Sequence, residues 1–294
     1  MFKHLQIHKK KIMGGIILLL LSLDILVWKE VFDGAGKSQM KILFFDVGQG
    51  DSIFIESMDG TQVLIDGGPP NMILPNLAAA MSYFDKHIDV VVLTHPHADH
   101  VSGLLEVLRR YEVGVVIESG VQYHTAEAQE FRKLLEEKKV KTVFIGKLVD
   151  LSFYNSATLK FLHPDRSYAG AVLKNVHDAA VVSELEFEGR KILFMADAEK
   201  KLEQKLVDAR AVGDVDVLKA GHHGSKTSSQ TFFLRAVKPE YAVISLGARN
   251  RYGHPHPDIL SRLASVGAKI FRTDIDGTIK LEINNGQLKF SEEK

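Results

Sequence analysis

None of the 294 residues is cysteine. That absence excludes disulfides and thiolate ligands, so any metal must be held by His, Asp or Glu. An excess of charge of one sign is also missing, with 37 Lys and Arg against 37 Asp and Glu. Setting aside residues 1–37 removes six basic and three acidic side chains and leaves residues 38–294 at a net −3. A protein that grips nucleic acid over many phosphates carries the opposite balance. No Pro/Ser-rich linker, charge block or strong internal repeat divides the chain. At 45% hydrophobic and 25% charged, the composition is that of a globular protein, long enough for a large core.

One long apolar run is present. Lys9-Lys10-Lys11 precedes Ile12 to Trp28, which only Ser22 and Asp24 interrupt. The run is at the short end for a spanning helix. The triple Lys would stay cytoplasmic, with Trp28 and Lys29 at the far interface and the globular part outside. The expectation is a single-pass cell-membrane anchor over 1–39, including a tether at Asp33–Ser38, followed by a globular domain over 40–294. A cleaved signal peptide would make the protein secreted, but Gly34-Ala35-Gly36 is a poor cleavage site. A buried helix is the third reading.

The most informative stretch is His95-Pro96-His97-Ala98-Asp99-His100. Val90-Val91-Val92-Leu93-Thr94 before it reads as a buried strand, and Leu104, Leu105, Val107 and Leu108 after it as a helix. The cluster therefore sits on a strand-to-helix turn, where loops on a rigid scaffold carry function. Alternate residues of extended chain point the same way, so His95 and His97 can grip one ion. Asp99 and His100 can reach a second as the chain turns into the helix. A merely solvated His-rich loop is a poor account of three imidazoles and a carboxylate at a strand end.

Strands are expected over 41–47, 52–56, 63–65, 89–93, 113–117, 141–145, 157–162, 180–187, 190–195, 215–218, 241–245, 268–272 and 277–283. Helices are expected over 72–86, after Gly103, and over 126–138, 199–209, 229–235 and 256–265. Runs of strands with interspersed helices suit two sheets face to face with helices outside, an α+β, four-layer sandwich.

Other polar groups recur at strand ends. Asp197 follows Ile192-Leu193-Phe194-Met195, where an acid is costly to bury unless paired or bound to a cation; it could otherwise cap the next helix. His222 and His223 follow an apolar run. On extended backbone neighbours diverge, so one of them ligates and the other could contact an oxyanion, with Ser225 and Lys226 nearby for substrate. His177 precedes a strand, where on its own it reads as a surface residue, and His254 and His256 share a loop with Arg249, Asn250 and Arg251 that could equally clamp an anion or be a solvated turn. Asp46 and Asp66 each end a strand, where they could orient ligand histidines. His124 reads as a surface residue.

Together these residues resemble the metallo-β-lactamase superfamily, whose HxHxDH signature His95–His100 matches. The runs from Phe45 to Ser52, Leu64 to Gly68, Leu218 to Ser225 and Asn250 to Pro255 resemble the ComEC/Rec2 branch, over roughly 40–285. The resemblance implies an αββα sandwich with two metal ions. His95, His97 and His177 would bind the first; Asp99, His100 and one of His222 and His223 the second; Asp197 would bridge. The family usually has Gly-Asp where Ala196-Asp197 stands, and many members of the branch have Asn at His177. The long membrane-channel region of full competence proteins is not in this sequence.

The expected function is a membrane-anchored, dinuclear metal-dependent hydrolase, a phosphodiesterase, with DNA as the substrate the resemblance implies. Asp99, Asp197, His222 and His223 are the catalytic candidates; Ser225, Lys226 and His254 are the substrate-binding ones. Nitrogen-rich ligation suits Zn2+, with Mn2+ second. The rivals are hydrolysis of a lactam, ester or thioester, which one fold can also support, and a non-catalytic metal-containing DNA-binding module.

Overall fold

A computed structural model describes residues 39–146, 149–153 and 157–293, together with Gly15, Ile16, Leu18, Ser22 and Asp24. The chain divides into two units, Met1–Lys37 and Ser38–Lys294, and the second carries both sheets. The expected anchor and tether lie outside the described residues save for those five. Among the described residues no helix is long and apolar enough to cross a membrane.

The strands are β1 (Met40–Phe44), β2 (Ile53–Glu56), β3 (Gln62–Ile65), β4 (His87–Leu93), β5 (Glu112–Glu118), β6 (Lys141–Phe144), β7 (Val149–Ser152), β8 (Thr158–His163), β9 (Val182–Phe187), β10 (Arg190–Phe194), β11 (Val217–Lys219), β12 (Tyr241–Ile244), β13 (Lys269–Arg272), β14 (Thr278–Asn284) and β15 (Gln287–Glu293). The helices are α1 (Ile73–Ala80), α2 (Ala98–Arg110), α3 (Ala126–Glu137), α4 (Lys200–Asp208), α5 (Thr231–Val237), α6 (Pro257–Ser265) and a single turn α7 (Thr273–Asp276). An eight-stranded sheet runs β15-β14-β1-β2-β3-β4-β5-β6, and a seven-stranded sheet runs β13-β12-β11-β10-β9-β8-β7.

Three apolar layers hold these elements together. Ile42, Phe44, Ile55 and Val92 of the first sheet meet Leu159, Phe161, Leu185 and Phe194 of the second. The other face of the first sheet, through Leu43, Phe54, Leu64 and Val91, packs on Leu77, Val101, Leu104 and Phe131 of α1–α3. The other face of the second, through Leu193, Leu218 and Ile244, packs on Leu202, Phe233 and Ile259 of α4–α6. Both sheets are therefore buried on both faces, which is why their strands read as continuous apolar runs. The result is an αββα sandwich.

The departures from the expected elements are local. Helix α1 ends at Ala80, not Lys86, because Met81 is already extended and Asp85 closes a turn on Ser82. The chain ends in the hairpin β14–β15, whose last strand is only partly buried. Strand β7 was not expected, and α7 interrupts the run between β13 and β14.

Helix α2 is seated by two glycines. A Cβ on Gly103 would fall 1.9 Å from the Gly67 carbonyl oxygen, and one on Gly67 would fall 2.4 Å from Leu104 N. Backbone meets backbone there, fixing α2 against the turn after β3. Gly103→Ala should cost about 3 kcal/mol, the upper end for overpacking, read as a lowered urea midpoint.

Between α4 and α5, the buried Glu203 carboxylate accepts the backbone N–H groups of Ser229 and Gln230. Burial pushes its pKa from 4.5 up to about 7, against those two hydrogen bonds. The native state then holds this proton more tightly than the unfolded chain. Stability is fully present below pH 4.5 and falls as pH rises toward 7, by roughly 3 kcal/mol at most. Glu203→Gln should remove that part of the slope, measured by denaturant unfolding of both proteins across pH 4.5–7.

Candidate metal centre

The site lies where carboxyl ends of strands from both sheets converge. Asp66 follows β3, His95 follows β4, Asp197 follows β10, and His222 and His223 follow β11. His177 arrives just before β9 on a 3-10 turn, Val176–Ala179. Strand β9 is antiparallel to β10, so its start lies at the same edge.

After β4 the chain stays extended through His97 before α2 begins, so His95 and His97 share a side. Their Nε2 and Nδ1 atoms are 3.1 Å apart. His177 Nε2 lies 3.1 Å from the same Nδ1. A single ring nitrogen cannot serve both neighbours with one proton. Asp197 Oδ2 completes the group, 3.7 Å from His95 Nε2 and 3.8 Å from His177 Nε2. Burial drives the pKa of His95 well down, that of His97 to about 4, and that of His177 down. All three are thereby neutral imidazoles, the form that ligates metals.

A second group faces the other oxygen of Asp197. His100 Nε2 is 3.4 Å and His223 Nε2 3.5 Å from Asp197 Oδ1. Asp99 Oδ2 is 3.4 Å from His223 Nε2. These separations are long for hydrogen bonds. Among the described residues, Asp197 Oδ1 and the two Nε2 atoms are buried without a hydrogen-bond partner.

The far nitrogens of both rings are fixed. His100 Nδ1 is 2.7 Å from Asp66 Oδ2, and Asp66 also accepts the Thr94 N–H at 2.8 Å and hydroxyl at 2.6 Å. His223 Nδ1 donates to the Ser245 carbonyl at 3.0 Å. Burial disfavours charge on His100 and His223. Asp197 acts against it, aided by Asp66 at His100 and by Asp51 at His223. His100 is thus held well above its usual pKa and His223 at about 10. Protons here balance buried carboxylates, a task a divalent cation can perform. The His/Asp clusters suggest divalent-metal binding, with donor atoms of each set within 4.8 Å of one another.

His222 and His223 do not diverge as extended neighbours would. Both adopt left-handed backbone, φ 48° and 51°, which turns both rings toward Asp197. His222 Nε2 is 3.7 Å from Asp197 Oδ2, and its Nδ1 is 3.3 Å from Glu199 Oε1. The extended backbone expected at this pair is thereby corrected. His223 joins Asp99 and His100, while His222 stands beside His177 with ring centroids 4.6 Å apart. Ala196 is also left-handed, φ 46°, a conformation that glycine adopts without steric cost.

A cleft of about 330 Å³ opens over both groups, lined by Gln49, His97, Asp99, Tyr123, His222 and His254, among others. His254 is 6.0 Å from the His222 ring. Ser225 is buried and engages Thr227 at 3.0 Å. Lys226 lines an adjoining groove of about 910 Å³ with Glu199, Lys200 and Thr227, outside the cleft proper. His256 Nδ1 caps α6 by accepting the Asp258 N–H at 3.3 Å. His124 is exposed.

Asp46 is a further correction. Its carboxylate accepts the Gly48 N–H at 3.0 Å and lines a different cavity, with Asn76 and Asp274. Strand β1 stops at Phe44, and the loop carries the chain on before an acid meets the histidines. That acid is Asp51, with Oδ1 3.2 Å from His223 Nδ1 and an ion pair to the buried Lys219. Sequence reasoning missed Asp51, Lys219, Thr94 and Glu199. Lys219 carried a signal, since a charge in the apolar run from Val215 to Ala220 must find a partner.

Comparison with known proteins adds the following. The profile of the Metallo-beta-lactamase superfamily matches residues 45–248. ComE operon protein 3 of Bacillus subtilis (strain 168) is 29% identical over 279 residues, covering 86% of this chain and 34% of that protein. Recombination protein 2 of Haemophilus influenzae is 28% identical over 308 residues, covering 99% of this chain and 35% of that protein. The chain thus spans about a third of the length of these curated relatives. A CmlA beta-hydroxylase E377D mutant shares the fold, with TM-score 0.54 at 17% identity, over 83% of this chain and 54% of that one.

The hydrogen bonds behind His100 give a direct test. Asp66→Asn replaces an acceptor of three hydrogen bonds with a group that is half donor. It should weaken divalent-metal binding about 10–100-fold, the usual effect of losing an orienting carboxylate, measured by competition with a chromophoric chelator.

Proposed function

Because this chain belongs to the metallo-beta-lactamase superfamily, in its ComEC/Rec2-like branch, we propose that it is a membrane-anchored, dinuclear metal-dependent phosphodiesterase. The family and the His/Asp clusters support a metal-dependent hydrolase. The finer reading rests on one observation: the two oxygens of Asp197 face two separate donor sets, Oδ2 toward His95 and His177 and Oδ1 toward His100 and His223. A carboxylate so placed would be shared by two cations, one held by each donor set.

In this reading His95, His97, His177 and Asp197 hold one ion, and Asp99, His100, His223 and Asp197 the other. Zinc suits five imidazoles better than manganese does. Held there, such ions supply Lewis acidity to a phosphoryl oxygen and lower the pKa of a water toward neutrality. Asp66 and Ser245 lock the tautomers of His100 and His223, so that both Nε2 lone pairs aim into the site. His222, held by Glu199, presents a donor to a substrate oxygen at the cleft floor. His254 contributes to the wall beside it, and Lys226 faces anionic substrate in the adjoining groove.

The resemblance to the ComEC/Rec2 competence proteins supports a role in DNA uptake, with DNA or a phosphodiester of the cell envelope as substrate. The run Lys9–Trp28 supports a cell-membrane location with the cleft outside the cytoplasm.

The test is turnover by the detergent-solubilised full chain. Bis-p-nitrophenyl phosphate should be cleaved, cleavage should stop with chelator and return with zinc or manganese, and Asp197→Ala should abolish it. A chromogenic lactam or thioester cleaved in its place would replace the phosphodiesterase reading. Metal binding without any turnover would favour a binding module.

A further inference from the structure

Between Asp66 and Asp85 no residue is charged. This stretch includes α1, whose inner residues Ile73 and Leu77 are buried. Its outer residues are Met72, Pro75, Ala78 and Ala79, all exposed. Beyond its end, Tyr83 and Phe84 stand 80% and 74% exposed, their rings edge to face at 5.1 Å. The first acid, Asp85, turns inward to accept Gln62 Nε2 at 2.6 Å and the His87 N–H at 3.0 Å. A helix face with an aromatic pair and no charge is rare on a surface that meets only water.

Its place in the fold says what covers it. Helix α1 runs antiparallel to β1. At its middle Asn76 Nδ2 donates to the Asp46 carbonyl at 3.2 Å, and at its end the Ala80 carbonyl accepts from Lys41 Nζ at 3.1 Å. The aromatic end therefore lies beside Lys41, where the chain from Ile12–Trp28 enters β1. The other end of β1 leads through Asp46 to Asp51 and the metal centre. Trp28 precedes Met40 by twelve positions in the sequence, so a bilayer that took up the apolar run would lie within about 40 Å of that end of β1.

We infer that the outer face of α1 with Tyr83 and Phe84 docks on the lipid bilayer surface, an inference that rests on the anchored reading above. Tyr belongs at the headgroup level and Phe at the acyl boundary, and the exposed Lys86 flanks the patch where lipid phosphates would lie. Docking fixes orientation. The edge that receives the tether faces the membrane. The cleft at the opposite edge is held roughly 20 Å above it, from the six steps of chain between Met40 and Asp46 at about 3.3 Å each. The site then opens to water and to a substrate passing along the membrane.

The cysteine-free chain allows a single nitroxide at any chosen position. The full chain is reconstituted in phosphatidylethanolamine–phosphatidylglycerol vesicles with the label on Ala79→Cys, and separately on Asp258→Cys in α6. The expected result is a label at 79 that collides with oxygen severalfold more than with chromium oxalate, and the reverse at 258. Adding Y83S and F84S should return the label at 79 to the aqueous pattern. A label at 79 as exposed to chromium oxalate as that at 258, on a chain that floats with the vesicles, overturns docking and leaves the anchor standing. A chain that fails to float overturns the anchor and docking together. Spin–spin broadening at 79 that grows with protein density identifies a second copy on this face and overturns the lipid assignment.

Discussion

The cost of burying charge at one edge of the sandwich governs this molecule. Asp51, Asp66 and Asp197 are all but inaccessible to water, as are His95, His100, Lys219 and His223. Such groups remain in a core only when each finds a partner. Lys219 pairs with Asp51, Asp66 takes three donors, and Asp197 lies among imidazoles on both sides. What is left over is geometric: ring nitrogens and a carboxylate oxygen aimed at one another from beyond hydrogen-bonding range. The site is thus preorganised for cations by the same contacts that make it affordable to fold.

The two sheets make that convergence achievable. Asp66, His95, His97, Asp99 and His100 come from the first sheet and α2, whereas His177, Asp197, His222 and His223 come from the second. Neither half alone assembles either donor set, because Asp197 is common to both. The Gly67–Gly103 contact matters for the same reason. It sets α2 directly on the turn carrying Asp66, so that Asp66 reaches the His100 ring one helical turn before Gly103.

Much of this was legible in the sequence, and the exceptions have physical causes. The doubly buried strands announced themselves as apolar runs, and His95–His100 announced the site, because donor-rich residues at a strand end have few other uses. The backbone at His222 and His223 was not legible. Two consecutive left-handed residues follow no local propensity, and only packing reveals that both rings face inward. Asp46 looks like a strand end because Phe45 and Val47 extend the apolar run, whereas β1 stops at Phe44 and those two side chains pack on the helices. Strand β15 was missed because it is an edge strand of alternating exposure, and the end of α1 because alanines and methionine continue a helical pattern beyond the point where the chain turns.

The central claim is that Asp197 joins two cation sites, each built from residues of both sheets. A crystal of the zinc-loaded protein, with anomalous difference density collected at the zinc edge, tests it most directly. The account predicts two peaks, one on each side of the Asp197 carboxylate, within reach of His95, His97 and His177 and of Asp99, His100 and His223. A single peak, or zinc held elsewhere with Asp197 uninvolved, would contradict it.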